Sequence, residues 1–283
     1  MNYTDLISTT DLVNNLHNDN LVIVDCRFDL TNPEQGFKDY LSAHVPGSFY
    51  ANLDKDLASP VTSQSGRHPL PDKDAFSKML AGWGVNDQSQ IVAYDQVGGS
   101  MAVRLWWLLR YFGFNRVAIL DGGIKQWVSE NRPMDDILPK LRVNASLPSL
   151  TPNPNMLVTT QEMTKLLNSP DFLIIDARSP ERYMGQSETI DKIAGHIPGA
   201  INRFHGLNLN YLGLMKSSEK LRQEYLSLID HHAYNKVVVY CGSGVTSCHL
   251  ILAMKIAGID GPRLYLGSWS EWIRDPGRPV ITI

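Results

Sequence analysis

Hydrophobic positions along the chain follow two rhythms, and the same succession of rhythms comes twice. "STTDLVNNLHNDNLVIVDCR" (residues 8–27) and "VTTQEMTKLLNSPDFLIIDAR" (residues 158–178) each read as a threonine-capped amphipathic helix, a polar turn and a buried strand ending in Asp-x-Arg. "AHVPGSFYAN" is answered by "GHIPGAIN", and "QIVAYDQVGGSMAVRLWWLLRYFG" by "KVVVYCGSGVTSCHLILAMKIAG". "LDGGIKQW" is answered by "YLGSWSEW", and "NRPM" by "GRPV". The offset between matching positions stays near 145 to 152 residues, the mark of a duplicated unit. Each half alternates short apolar strands with helices. That pattern predicts an α/β fold of two tandem domains, each a mostly parallel sheet with helices on both faces.

Residues 132–157 carry Pro133, Pro139, Pro148, Pro152 and Pro154, a linker composition. The expected division is a first domain over residues 1–134, a linker over 135–157 and a second domain over 158–283. The full length of 283 residues, with 43% apolar and 19% charged residues, suits two ordinary globular cores. A net charge of -3 without a long basic run argues against a nucleic-acid partner. The opening "MNYTDLISTTDL" lacks a cationic start followed by an apolar run, so no signal peptide is expected. No stretch reaches the roughly 18 apolar residues of a membrane helix. Three cysteines, Cys26, Cys241 and Cys248, are too few for a disulfide framework and point to free thiols in a reducing, cytoplasmic setting.

One cysteine changes the picture. In "VVVYCGSGVTSC" a strand over residues 237–240 runs into Cys241, and the chain must then turn sharply into a helix beginning near Val245. In a parallel sheet, ligands collect at the carboxyl ends of the strands, which is where Cys241 would stand. Gly242 and Gly244 permit unusual backbone angles and a close approach by a ligand. The successive amides of the loop and the first helical turn form an anion-binding nest, in which a thiol pKa falls below its free value of roughly 8.5. The other repeat places Asp95 at the matching position, in "YDQVGGSM". One half keeps the frame without a sulfur nucleophile, so one active and one inactive half are expected.

These residues resemble the tandem rhodanese-type sulfurtransferases over almost the whole chain. The likeness rests on the Asp-x-Arg strand ends, both "H[VI]PG" turns, the cysteine loop and the terminal "GSWSEW". It implies two rhodanese-like domains, the second catalytic, with the active cleft between them. It also implies sulfur transfer through a Cys241 persulfide, without a cofactor or metal, from a small-molecule donor to a thiol acceptor such as a thioredoxin-like protein, or to cyanide. The loop Cys241, Gly242, Ser243, Gly244, Val245, Thr246 is similar to the 3-mercaptopyruvate branch; the thiosulfate branch typically has Arg and Lys at the positions of Gly242 and Ser243. By the same resemblance Arg182 would hold the donor carboxylate, and Ser243, His68 and Asp54 would form a proton relay, with His68 reaching the site from the first half. Mercaptopyruvate-type members usually carry a second arginine in the insert before "GHIPG". Here that insert reads "QSETIDKIA", so Lys192 is the nearest substitute and Arg67 a further basic candidate. Thiosulfate remains the alternative donor.

Other signals read as structural. His44 and His196 recur in both turns and should bond backbone groups. His231 and His232 lack the spacing of a zinc site. Cys26, Cys248, Trp106, Trp107, Trp269 and Trp272 read chiefly as core. A phosphatase of related fold needs an arginine six residues after the cysteine, where Ser247 stands. A non-catalytic binding module is the remaining rival, set against the presence of the cysteine and both glycines.

Overall fold

In the computed structural model, which describes residues 2–142, 146–167 and 169–283, both apolar runs that end in Asp-x-Arg become inner strands of parallel sheets. The first sheet contains β1 (Leu6–Ile7), β2 (Leu21–Asp25), β3 (Phe49–Tyr50), β4 (Gln90–Tyr94) and β5 (Val117–Leu120), in the order β1-β5-β4-β2-β3. The second contains β6 (Leu157–Val158), β7 (Leu173–Asp176), β8 (Ile201–Asn202), β9 (Val237–Tyr240) and β10 (Arg263–Tyr265), in the order β6-β10-β9-β7-β8. Every pairing between these strands is parallel, and the second order repeats the first. Helices α1 (Thr9–Asn14), α2 (Gln35–Ser42), α3 (Lys73–Gly82), α4 (Ala102–Tyr111) and α5 (Gly123–Ser129) accompany the first sheet. Helices α6 (Thr160–Leu166), α7 (Pro180–Met184), α8 (Ser218–Ile229), α9 (Ser247–Ile256) and α10 (Ser268–Trp272) accompany the second.

The strand that ends at Cys241 is the best buried. All four residues of β9 are 0% exposed, as a strand flanked by partners and covered on both faces requires. Each buried valine there stabilises the fold by about 1.5–3 kcal/mol, which fixes the height at which the cysteine emerges. Local caps set the entry to each repeat. Thr159 caps α6 in a full capping box with Glu162, as expected; in the first repeat the cap of α1 is Ser8 rather than a threonine.

The chain divides into two compact units. One comprises Met1–Ser59, Leu70–Pro152 and Tyr211–Leu214; the other comprises Pro60–Pro69, Asn153–Asn210 and Met215–Ile283. Sequence order assigns Pro60–Pro69 to the first half, but the segment is bonded to residues of the second unit. The N–H groups of Gly66 and Arg67 donate to Glu271 and Ser270, and Arg274 donates to the carbonyl of Ser65. His68 and Arg67 are therefore residues of the second unit. The proline-rich stretch also has fixed bonds where it is described. Asp135 exchanges backbone bonds with His44 beyond α2, while Arg142 N–H donates to Gly82 and Thr151 N–H to Phe112, so the last two close carbonyls at the ends of α3 and α4. Residues 143–145 of the expected linker lie outside the described residues.

Each Asp-x-Arg motif is a buried clasp at a strand end. Arg178 donates Nε and Nη2 to Asp176 at 2.7–3.1 Å and Nη2 to the Gly195 carbonyl at 2.6 Å. Arg27 repeats this with Asp25 and the Ala43 carbonyl. The repeated histidines serve the same turns: His44 Nδ1 lies 2.7 Å from the Tyr40 carbonyl, and His196 Nδ1 lies 2.8 Å from that of Tyr183.

Candidate functional site

Cys241 leaves β9 with its backbone locked on both sides. Its N–H donates to Ser268 Oγ at 3.1 Å, and its carbonyl accepts from Trp269 N–H at 2.9 Å. The Gly242 carbonyl accepts from Ser270 N–H at 2.9 Å. Ser268 makes this possible by adopting a left-handed φ of 52°, and its hydroxyl donates to the Tyr265 carbonyl. Gly244 has a φ of 74°, and a Cβ there would lie 2.4 Å from the Leu266 carbonyl oxygen. Only glycine fits that point of the loop.

The thiol is almost wholly buried, at 2% exposure. Burial pushes its pKa up, but the hydroxyls of Ser247 and Thr246 and the amides of Ser243 and Ser247 donate to the sulfur and outweigh it, so the pKa lies below the ordinary thiol value. The Ser247 hydroxyl is 3.4 Å from Sγ. Sequence reasoning weighed Ser247 only as a missing arginine and overlooked it as a donor; its place on the first residue of α9 was the available signal. Persulfide formation on the wild type should therefore rise with pH along a limb whose midpoint lies below that of an ordinary free thiol. Ser247→Ala should move that limb to higher pH, as measured by the rate of Cys241 alkylation against pH; an unmoved limb would assign the depression to other groups.

The matching loop of the first unit is filled by its own side chain. The Asp95 carboxylate accepts N–H bonds from Val97, Gly99, Met101 and Ala102 at 2.7–2.9 Å. Its backbone carbonyl accepts from Ile124 as that of Cys241 does from Trp269. Here the nest holds a carboxylate where the second unit presents a sulfur.

Two guanidiniums stand against the cysteine loop. A Cβ built on Gly242 would lie 2.7 Å from Arg67 Nη2 and 3.6 Å from both terminal nitrogens of Arg182. Both arginines are anchored by acids from the insert. Arg182 donates to Glu188 at 2.8–3.2 Å and to Asp191 at 3.0 Å, and Arg67 Nη1 pairs with Asp191. Arg178 reaches Glu188 at 3.4 Å and stacks on Trp269 with its guanidinium carbon 4.8 Å from the ring. Arg67 Nε is buried with no hydrogen-bond partner. Ser243 Oγ lies 2.7 Å from His68 Nδ1, and both residues are buried.

Cys241, Gly242, Ser243, Gly244, Val245, Thr246, His68, Arg67 and Arg182 thus all belong to one unit and meet around the loop. Lys192 is exposed, and no hydrogen bond or ion pair holds its ammonium among the described residues. The two basic side chains beside Gly242 are those of Arg67 and Arg182. Asp54 belongs to the first unit, where it is exposed and its N–H donates to Asn52 Oδ1. Glu188 and Asp191 were missed from the sequence, where the insert was read only for its cations. Cys248 is fully buried and donates to the Gly244 carbonyl at 3.4 Å, a packing role. Trp106, Trp107, Trp269 and Trp272 are all buried. Among the described residues no helix is long and apolar enough to cross a membrane.

Comparison with known proteins completes the description. A model of the rhodanese-like domain matches residues 8–130 and again residues 159–275. A Pseudomonas aeruginosa protein named "Probable 3-mercaptopyruvate sulfurtransferase" is 38% identical, covering 100% of this chain and 99% of its own. The thiosulfate sulfurtransferase of Bos taurus is 30% identical over 89% of this chain and 84% of its own. The solved structure of the 3-mercaptopyruvate sulfurtransferase from Leishmania major superposes with a TM-score of 0.81 at 28% identity, over 95% of this chain and 74% of that one.

Proposed function

Because the chain belongs to the rhodanese-like family and is a sulfurtransferase, we propose that it moves a sulfane sulfur from 3-mercaptopyruvate through a persulfide on Cys241. The observation that supports this donor most is the pair Arg67 and Arg182 beside an uncharged loop position at Gly242. The pair offers forked donors to a carboxylate at a distance from the reacting sulfur. The buried Nε of Arg67, which has no partner, is a further donor for such an anion.

In the first half-reaction the Cys241 thiolate attacks the donor sulfur. The carbon–sulfur bond breaks, its electron pair passes to the enolate of pyruvate, and a sulfur–sulfur bond forms on Cys241. Ser243 bonds the donor ketone oxygen. The proton of the donor thiol reaches the enolate carbon by way of His68, joined to Ser243 at 2.7 Å. Asp54 is the residue the family resemblance adds to that relay. The product persulfide is an anion, and the loop donors that lower the thiol pKa stabilise it. In the second half-reaction an acceptor thiolate, which we take to be that of a thioredoxin-like protein, or cyanide, attacks the outer sulfur and releases the Cys241 thiolate. No oxidant or metal enters the balance.

Thiosulfate is the second reading, favoured by the 30% identity to the Bos taurus enzyme. Steady-state kinetics with both donors decide between them. We expect kcat/KM for mercaptopyruvate to exceed that for thiosulfate by at least about tenfold, a difference of about 1.4 kcal/mol in transition-state binding. A reversed ratio would assign thiosulfate. Absence of persulfide on the wild type with either donor would overturn the mechanism.

A further inference from the structure

Asp191 stands in the insert that lacks the expected second arginine, and it joins Arg182 to Arg67, the two arginines beside Gly242. Its side chain is 4% exposed; Oδ1 accepts from Arg67 Nη1, and Oδ2 accepts from Arg182 Nη2 at 3.0 Å. Both guanidiniums are the ones that face Gly242. Glu188 completes the arrangement: it grips Arg182 through Nε and Nη2, and its Oε1 accepts the Asp191 N–H at 3.0 Å. With the neighbouring Asp176–Arg178 clasp, three guanidiniums face three carboxylates. The site therefore combines directed N–H donors with little net positive charge.

Such a site discriminates by charge. A doubly charged donor brings one more negative charge toward Asp191, Glu188 and the Cys241 thiolate than a singly charged α-keto acid does. At the short distances and reduced screening of a buried cluster that difference is large. We propose that Asp191 is a specificity-determining positioning residue, which bridges Arg67 and Arg182, fixes their forks at the loop and cancels part of their charge, so that a singly charged α-keto thiol is favoured over thiosulfate. This deepens the proposed function and rests on its two-arginine reading. Burial raises the Asp191 pKa above the usual carboxylate range despite the opposing pull of Arg67 and Arg182, which marks a poorly solvated position.

Asp191→Asn removes the charge and keeps an acceptor oxygen for one of the two guanidiniums, with an amide NH2 toward the other. The ratio of kcat/KM for thiosulfate to that for mercaptopyruvate should rise about tenfold, chiefly through a lower thiosulfate KM, and the rise should shrink with added salt. Asp191→Ser, which also removes the charge with a smaller side chain, should shift the ratio the same way and serves if the Asn variant does not fold. A role confined to holding the fold would slow both donors in parallel. A ratio that stays at its wild-type value in the folded variants overturns the proposal while the mercaptopyruvate reading stands. A wild type that prefers thiosulfate sinks that reading, and the role of Asp191 with it.

Discussion

Cys241→Ser is expected to lose sulfur transfer altogether, with kcat/KM for either donor down by at least about 10³-fold, as for other enzymes that lose their nucleophile. Serine preserves the volume and the hydrogen bonds of the loop, but its hydroxyl is not ionised at neutral pH and cannot carry a sulfane sulfur. The wild type incubated with donor should gain about 32 Da on Cys241, the mass of one sulfur in the covalent intermediate, and the variant none. The frame that holds position 241 is backbone and neighbouring side chains: Ser268, Trp269 and the buried strand β9. Circular dichroism and the Tm should accordingly be unchanged. Turnover retained by the variant would remove Cys241 from the reaction.

Arg182→Ala should have the second-largest effect, acting on binding before chemistry. Loss of a forked, charge-assisted partner for a carboxylate should raise the KM for mercaptopyruvate by about 10–100-fold, the equivalent of about 1.4–2.7 kcal/mol. The same change leaves Glu188 with one cationic partner, Arg178 at 3.4 Å, beside the N–H groups of Ile190 and Asp191, and leaves Asp191 with Arg67 as its cationic partner. Acids so deeply buried lose stability when a partner goes, so the Tm should fall as well. Arg182→Lys restores charge without the fork, and should recover the Tm more than the KM. Transfer from preformed persulfide to cyanide should be largely spared, since no carboxylate is then bound. An unchanged KM in the alanine variant would exclude Arg182 from donor binding.

What the sequence disclosed and what it hid divide along one physical line. The duplicated strands, the capped helices and the cysteine at the end of β9 are written in local periodicity and in glycine placement, and local patterns survive without a structure. The same holds for Asp95 as the odd partner of Cys241. Other parts of the site depend on contacts between distant segments. Arg67 meets Asp191 across 124 residues, and His68 meets Ser243 across 175. Nothing near residues 60–69 signals that this segment bonds to α10 rather than to the strands that flank it in sequence. Glu188 and Asp191 look like surface acids because their partners lie elsewhere in the chain or behind a turn. The missing arginine of the insert was legible as an absence; the approach of Arg67 to Gly242 was not.

The two loops also differ in what each must accommodate. Asp95 fills its ring of amides with an anion of constant size, covalently supplied and never released, so that loop needs only to satisfy four donors. In the reaction proposed above, Cys241 bears an anion that lengthens by one atom and shortens again in every cycle. The ring around it must keep its donors in place through that change, and the absence of a side chain on Gly242 lets the Arg67 and Arg182 guanidiniums stand close beside it. One repeat has become a stationary cast of the charged state through which the other passes at each turnover.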